Sequence, residues 1–434
     1  MKAIDSYEAM DREDLEQVQV ERLQATLNRA SQNVAFYRES FERLGVDIEG
    51  IKSLADLARL PFTTKDDLRR SYPYGMFAVP LKDIVRIHST SGTTGKPVIV
   101  GYTAGDIEVW TTLVTRLLRA AEVTKHDLAQ IAFNYNLSSA ALGFHYGAER
   151  IGASVVPSSG ESVGRQVMVM RDYKTTALIG TPSYATHIAS HLREKGIHPE
   201  ELRLRVGLFG AESWSEAMRA EIEESLHIKA YDNYGLTEIM GPGVAFECRE
   251  RSGLHVNEDH FILEIIDQET LEPVAPGEEG ELVFTTITKQ GFPLIRYRTG
   301  DISSIIPGDC PCGRKTARIR RIAGRVDDMI IVDGVNIFPS QIEEILVRTP
   351  GVEPHYRVVL ERLEGVDRVE VQAELSSDFP YFDEAARVAA LRAELQTQLV
   401  ETLGIRVHAT FVEPKSIERS EGGKQSRVVD KRPR

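Results

Sequence analysis

Cysteine is scarce in this chain: three residues among 434, Cys248, Cys310 and Cys312. An odd, small number excludes a disulfide framework and asks for another explanation. Long apolar runs are missing as well. No stretch approaches the roughly 18 consecutive apolar residues of a membrane-spanning helix. The start, Met1-Lys2-Ala3-Ile4-Asp5-Ser6-Tyr7-Glu8, carries no apolar segment, so no signal peptide is expected and a cytoplasmic location is. Basic residues are in deficit, 52 against 65 acidic ones, for a net charge of −13. That balance argues against a nucleic-acid-binding surface. Internal repeats and low-complexity segments are also absent.

What remains has the composition of a globular protein, 42% hydrophobic and 27% charged. The length exceeds one ordinary core and predicts two or three domains. The first 80 residues carry apolar positions at helical spacing, around Val20 to Leu27 and Phe36 to Leu44, broken by Pro61, Pro73 and Pro80. From about 105 to 235, short apolar runs (Ile131 to Phe133, Ser154 to Val156, Ala177 to Ile179, Val206 to Phe209) alternate with helix-length stretches such as Ser183 to Lys195 and Ser215 to Ser225. This alternation predicts a parallel sheet covered by helices. After 260 the pattern becomes strands and turns: Phe261 to Ile266, Pro273 to Gly277, Glu281 to Thr286. From about 328 a smaller α+β unit is expected. Its strands are Met329 to Val332, Tyr356 to Arg362, Arg368 to Ala373 and Val407 to Val412, and its helices are Ser340 to Val347 and Glu384 to Leu403.

One loop is dense in chemistry: His88-Ser89-Thr90-Ser91-Gly92-Thr93-Thr94-Gly95-Lys96-Pro97. Gly92 and Gly95 let backbone approach an anion, since no Cβ intervenes. The hydroxyls and Lys96 supply donors and positive charge. It is not a Walker A loop, which has four residues between its glycines and Ser or Thr after its lysine. Here two intervene and Pro97 follows.

Further motifs come in a fixed order after it: Gly210-Ala211-Glu212, Asp232 with Tyr234-Gly235-Leu236-Thr237-Glu238, Tyr297-Arg298-Thr299-Gly300-Asp301, Gly324-Arg325-Val326-Asp327-Asp328 and Gly422-Gly423-Lys424. The set resembles the adenylate-forming superfamily of acyl-CoA synthetases and peptide-synthetase adenylation domains, over nearly the whole chain. Within it the chain is most similar to phenylacetate-CoA ligases, through Phe144-His145-Tyr146-Gly147-Ala148-Glu149-Arg150, Met240-Gly241-Pro242-Gly243-Val244, Asp328-Met329-Ile330-Ile331, Glu258-Asp259-His260-Phe261 and Gly334-Val335-Asn336-Ile337-Phe338-Pro339. The resemblance implies an α/β fold. Its large N-terminal domain, residues 1–326, would hold parallel α/β layers and a β subdomain. A small mobile α+β C-terminal domain, residues 327–434, would turn about Asp327.

It also implies a two-step reaction. A carboxylate attacks the α-phosphate of ATP, giving acyl-adenylate and pyrophosphate; coenzyme A thiol then displaces AMP. In this scheme Ser89, Thr90, Ser91, Gly92, Thr93, Thr94, Gly95 and Lys96 would hold the β- and γ-phosphates. Glu238 would hold Mg²⁺, which takes oxygen ligands, and Thr237 would donate to the α-phosphate. Tyr234 would lie on the adenine face, with Gly210, Ala211 and Glu212 lining its other side and Gly235 beside them. Asp232 would accept from the adenine amino group, Asp301 from both ribose hydroxyls, and Arg325 would contact ribose or phosphate. Lys424, between flanking glycines, would stabilise charge as it develops between carboxylate and α-phosphate.

The acyl pocket implied by the resemblance lies near Ala132 to Ala141. Tyr135, Phe144 and Pro182 would form an aromatic, apolar slot with Ala141 and Gly235, and Asn136 and Ser138 (with Asn134) would be polar handles. Phenylacetate ligases are more glycine-rich in this stretch, so substituted benzoates and other aryl acids enter the expectation. Alternatives are acyl transfer to a carrier protein, a deazaflavin-adenylating enzyme, and a non-catalytic nucleotide-binding protein. A homodimer is expected from the likeness and from the commonness of two-fold assemblies.

The cysteines are explained by zinc. Cys310-Pro311-Cys312-Gly313 is a knuckle-like turn presenting two thiolates, and six residues lie between Cys248 and His255. Together they make a Cys₃His set of the structural zinc type, with His260 as the alternative fourth ligand.

Overall fold

In the computed structural model, residues 4–90, 96–326, 329–332, 335–363, 366–376, 385–418 and 427–432 are described. Ser91 to Gly95, Asp327 and Lys424, with Gly422 and Gly423, lie outside the described residues.

The central element is a nine-stranded mixed sheet. Its spatial order is 305–306, 318–319, 254–256, 245–247, 229–234, 206–210, 177–180, 128–131 and 154–156. The last five run parallel, as the alternating pattern predicted. The other four extend the sheet antiparallel, so it is not purely parallel. Each parallel crossover carries a helix: Ala140–Ile151, Val163–Tyr173, Pro182–Lys195 and Glu216–Leu226. Local chemistry sets their ends. Thr181 accepts from the Tyr184 N–H, Pro182 occupies the first turn, and Gly196 closes the helix at φ 63°. One expected strand is displaced. The run Ile131 to Phe133 ends its strand at Ile131, because the chain leaves the sheet at Ala132 towards the loop before Ala140–Ile151.

The chain first places 154–156 on one side of 128–131, then 177–180 and its successors on the other. This order reversal creates a crevice at the carboxyl ends of 128–131 and 177–180. Tyr135 to Ala141 and Pro182 follow those two strands.

A four-stranded antiparallel sheet, ordered 261–266, 280–286, 297–303 and 324–325, packs beside the main one. Pro273 to Gly277 forms a turn with a single bridge, Ile266 to Pro273, rather than a strand. The N-terminal helix Arg12–Asn33 buries Leu15, Gln19, Leu23, Thr26, Leu27 and Ala30 on one stripe. Arg12 ties it to Glu258 through two 2.8 Å bonds. The C-terminal unit has a sheet ordered 407–412, 366–375, 352–363 and 428–430, backed by helices Pro339–Arg348 and Ala385–Leu403 around their own apolar core.

Candidate active site

A cleft of about 500 Å³ opens where strands 206–210 and 229–234 end and the C-terminal unit approaches. Its lining joins Ala211, Glu212 and Trp214 to Asp232, Tyr234 and Gly235, then Asp301, Arg321 and Arg325, and from the small unit Arg427 and Arg432. This size is that of a small-molecule site.

The backbone is forced into position here. Ala211 sits at φ 70°, in the left-handed region that L residues avoid. Gly235 lies so close to the Gly241 carbonyl that a Cβ would meet its oxygen at 1.8 Å. Only glycine lets the turn after strand 229–234 fold back this tightly.

Asp301 is held at both carboxylate oxygens. Tyr234 donates its hydroxyl to Oδ2 at 2.7 Å, and Arg325 pairs with Oδ1. Asp301 also lines the cleft. Burial, then the charge of Asp301, holds the Tyr234 phenol well above its ordinary value. The Tyr234 ring stacks against Phe284 with centroids 6.0 Å apart. Glu212 accepts the Ser183 N–H at 2.7 Å in the first turn of helix Pro182–Lys195, where a carboxylate complements the dipole. Burial and then the Glu247 carboxylate push Asp232 up to about 8. Behind it, Glu247 is bonded by Arg219 at 2.6 Å and by the Asp232 N–H at 2.8 Å.

Thr237 and Glu238 occupy the turn that Gly235 starts. The Thr237 hydroxyl lies 2.9 Å from that of Ser139, and the buried Glu238 carboxylate lies 3.5 Å from Lys65 Nζ. The ends of the hydroxyl-rich loop are pinned to each other. Thr90 N–H donates to the Val98 carbonyl at 3.1 Å, and Val98 N–H donates to the Thr90 hydroxyl at 3.0 Å. Ser89 N–H bonds the Leu137 carbonyl at 2.9 Å, and Lys96 stands over the Tyr72 ring at 5.5 Å.

The acyl residues behave differently. Among them only Gly235 lines the cleft. Phe144 and Ala141 are fully buried, Phe144 stacked on Phe133 at 6.0 Å, because helix Ala140–Ile151 turns that face into the core. These side chains, with Pro182 at its helix start, are buried and do not line this cleft. Tyr135 is half-buried, with its hydroxyl 3.0 Å from His145 Nδ1 and His145 Nε2 3.1 Å from Glu149. Asn136 caps its own loop by accepting the Ser138 N–H at 2.9 Å.

Interleaved in sequence with the cleft residues, Cys248, His255, Cys310 and Cys312 converge, with one donor atom from each inside a 4.8 Å group. Cys248 and Cys310 sulfurs are 3.7 Å apart, and Cys312 Sγ is 3.5 Å from His255 Nε2. The bond lengths of tetrahedral zinc require edges of roughly 3.8 Å between sulfurs and roughly 3.6 Å from sulfur to nitrogen. The donors fit that polyhedron. Their outer partners fit too: Arg314 N–H points at Cys312 Sγ (3.5 Å), and His255 Nδ1 faces the Thr316 hydroxyl (3.3 Å). His260 is elsewhere, between Thr288 at 2.8 Å and Asp259 at 3.1 Å, which removes it as the fourth donor.

Sequence reasoning missed Lys65, Tyr102 and Lys289 around the 237–240 turn, and Trp214, Arg321, Arg427 and Arg432 at the cleft. Of these, only the Thr64/Asp67 capping box beside Lys65 had a local signal. Lys289 is completely buried, and desolvation lowers its ammonium to about 7.

A doubly wound sheet with an antiparallel annex, a small C-terminal α+β unit and a polar cleft between them defines a two-part nucleotide-activating enzyme. Residues 16–288 match the family described as AMP-binding enzyme, and residues 334–432 match the AMP-binding enzyme C-terminal domain. The chain belongs to this adenylate-forming family. Over 99% of its length it is 43% identical to a phenylacetate-coenzyme A ligase of Aromatoleum evansii, covering 98% of that protein. A phenylacetate-coenzyme A ligase of Escherichia coli is 44% identical over 99% of this chain and 98% of its own.

Among solved structures, 2-hydroxyisobutyryl-CoA ligase in the postadenylation state with 2-HIB-AMP superposes with a TM-score of 0.92 at 28% identity, over 98% of this chain and 91% of that one. The same enzyme with 2-HIB-AMP and CoA in its thioesterification state scores 0.72 over 98% and 92%. At equal coverage of this chain, that drop reflects arrangement rather than fold. The two parts are disposed here as in the postadenylation state. Among the described residues no helix is long and apolar enough to cross a membrane.

Proposed function

We propose that this protein joins an aryl carboxylic acid, of phenylacetate, benzoate or substituted-benzoate type, to coenzyme A through an acyl-adenylate. The observation that carries this reading is the convergence of Tyr234, Asp301, Arg325 and Glu212 on one cleft. It stands in a chain aligned end to end with phenylacetate-CoA ligases. The enzyme is an AMP-forming acid–thiol ligase.

In the reaction the carboxylate oxygen forms a bond to the α-phosphorus while the bond to pyrophosphate breaks. CoA thiolate then adds to the acyl carbonyl, the acyl C–O bond breaks, and AMP leaves with the oxygen and the electron pair of that bond. Asp301, which lines the cleft, accepts from the ribose hydroxyls. Asp232, held protonated by burial and Glu247, still offers a carbonyl oxygen to the adenine amino group. Glu238 would hold Mg²⁺, which would neutralise phosphate charge, and Thr237 donates to the α-phosphate. Ser89 to Lys96 receives the departing pyrophosphate, and Lys424 stabilises the charge formed at the bond-making centre. The large part, 1–326, and the small part, 327–434, then turn about Asp327 so that CoA reaches the adenylate. Tyr135, Asn136 and Ser138 line the acid's end of the site at the sheet's order reversal. The catalyst works on dissolved substrates in the cytoplasm, as a homodimer.

Cys248, His255, Cys310 and Cys312 would hold one structural zinc. With four protein donors it would brace the loop after the 237–240 turn rather than take part in the chemistry.

The test is pyrophosphate release across a panel of aryl acids, followed by thioester formation with CoA alone. Adenylate without thioester would redirect the reading to a carrier-protein acceptor. Absence of pyrophosphate with every aryl acid would overturn it.

A further inference from the structure

The turn that carries Thr237 and Glu238 has an unusual foundation. Ile239, Met240 and Gly241 all donate to the Leu236 carbonyl, so the chain makes about one helical turn and stops. The carbonyls of Thr237, Glu238, Ile239 and Met240 are then left without helical donors, as at any helix end. Two side chains face all four, Lys289 with two N–H donors and Tyr102 with a single O–H that its two carbonyls share. Lys289 Nζ bonds the Glu238 carbonyl at 3.0 Å and the Ile239 carbonyl at 2.7 Å. The Tyr102 hydroxyl lies 3.2 Å from the carbonyls of both Thr237 and Met240.

Lys289 is itself locked in place. Its ammonium sits 4.6 Å from the Tyr102 ring centroid and 5.3 Å from that of Phe292, within cation–π range. The next two N–H groups, of Gln290 and Gly291, both donate to the Asp106 carboxylate, at 2.6 and 2.9 Å. Asp106 belongs to the capping box of helix Ala104–Ala120. A rigid path therefore runs from that helix through Lys289 to the turn. A buried ammonium whose hydrogen-bond partners among the described residues are neutral carbonyls is expensive to keep, and a merely apolar core position would not require it. At the carbonyl end of a turn, a cation meets the negative end of the peptide dipoles.

We infer that Lys289, with Tyr102, is a positioning residue for adenylation: it fixes the carbonyl side of the 237–240 turn and so aims the Thr237 hydroxyl and the Glu238 carboxylate. The inference rests on the roles proposed above for those two residues.

Two variants of the full-length chain test it, Lys289→Met, which keeps length without charge, and Tyr102→Phe, which removes only the hydroxyl. Each is assayed for pyrophosphate release from ATP against magnesium concentration, and separately for thioester formation from synthetic acyl-adenylate and CoA. Lys289→Met is expected to slow pyrophosphate release about 30-fold and to raise half-saturating magnesium several-fold, while thioester formation from adenylate changes less than about threefold. Tyr102→Phe is expected to show the same split at about three- to tenfold.

Unchanged magnesium dependence and pyrophosphate rate in a folded variant overturn the inference. So does a proportional fall of both half-reactions, which would mean a structural role alone. If Lys289→Met does not fold, as judged by thermal unfolding, Tyr102→Phe decides. Wild-type protein that releases no pyrophosphate with any acid sinks the underlying reading; active wild type with indifferent variants sinks only the role of Lys289.

Discussion

The Cys/His cluster and the nucleotide cleft are built from the same stretch of chain, yet they are organised in opposite ways. In the cluster, Cys248, His255, Cys310 and Cys312 turn their donors towards one another, within 4.8 Å. In the cleft, Tyr234, Asp301, Arg325 and Glu212 are bonded to protein from behind while their residues line an opening of about 500 Å³. The first arrangement is complete once an ion is bound. The second arranges polar side chains around a space sized for a ligand. Closed geometry suits bracing and open geometry suits turnover. Variants of the two sites should therefore separate stability from catalysis.

The largest catalytic effect is expected at Lys424. Lys424→Ala should reduce adenylation by more than about tenfold, at least about 1.4 kcal/mol of transition-state stabilisation. Pyrophosphate release measures it, and an unchanged rate would refute the assigned mechanism. Asp301→Asn comes next. Loss of one charged oxygen should raise KM for ATP about tenfold while lowering kcat less, because the ribose contact is made in ground and transition states alike. An unaltered KM would remove Asp301 from the ribose.

The cluster should answer in the other currency. Protein purified without chelator should contain about one zinc per chain. Cys312→Ser should lose it and lower the melting temperature by roughly 5 °C, with most of the adenylation rate kept at low temperature. Cleft variants that lower the melting temperature as much as Cys312→Ser would erase the contrast between the sites.

The smallest effect lies outside both. Burial raises the Asp127 carboxyl, but bonds from Arg205, the Thr124 N–H and Thr176 bring it down to about 2, below its ordinary 3.8. With a depressed folded value, its stabilisation is present above pH 4 and is lost as pH falls from about 4 through 2. Asp127 is buried, but its partner Arg205 is more than a third exposed and solvent-screened, so this amounts to less than about 1 kcal/mol. Asp127→Asn should flatten that part of the acid-unfolding curve and lower neutral stability by about the same small amount.

The order of the motifs alone made the family legible, and periodicity made much of the fold legible. Strands 154–156, 261–266 and 407–412 begin and end where their apolar patterns do. Helix 182–195 starts at Thr181-Pro182 and ends at Gly196, signals carried by neighbouring residues. The residues of the Cys/His cluster could be nominated from spacing because two of them share one turn. Choosing between His255 and His260 required the fold: His255 pairs with Arg318 in the main sheet and faces Cys312, whereas His260 turns to Thr288.

Local patterns of hydrophobicity, capping and turn chemistry were thus determined by the sequence itself, since they depend on residues a few positions apart. Tertiary structure decided the rest. The antiparallel extension of the sheet, the burial of Phe144 and the pairing of Lys65 with Glu238 join segments that no local rule relates. Lys289 is the extreme case: it reads as an ordinary polar residue in a turn. Only packing that closes a loop of about fifty residues brings its ammonium to the carbonyls of Glu238 and Ile239. Such contacts depend on which distant elements share a core, a property of the whole chain.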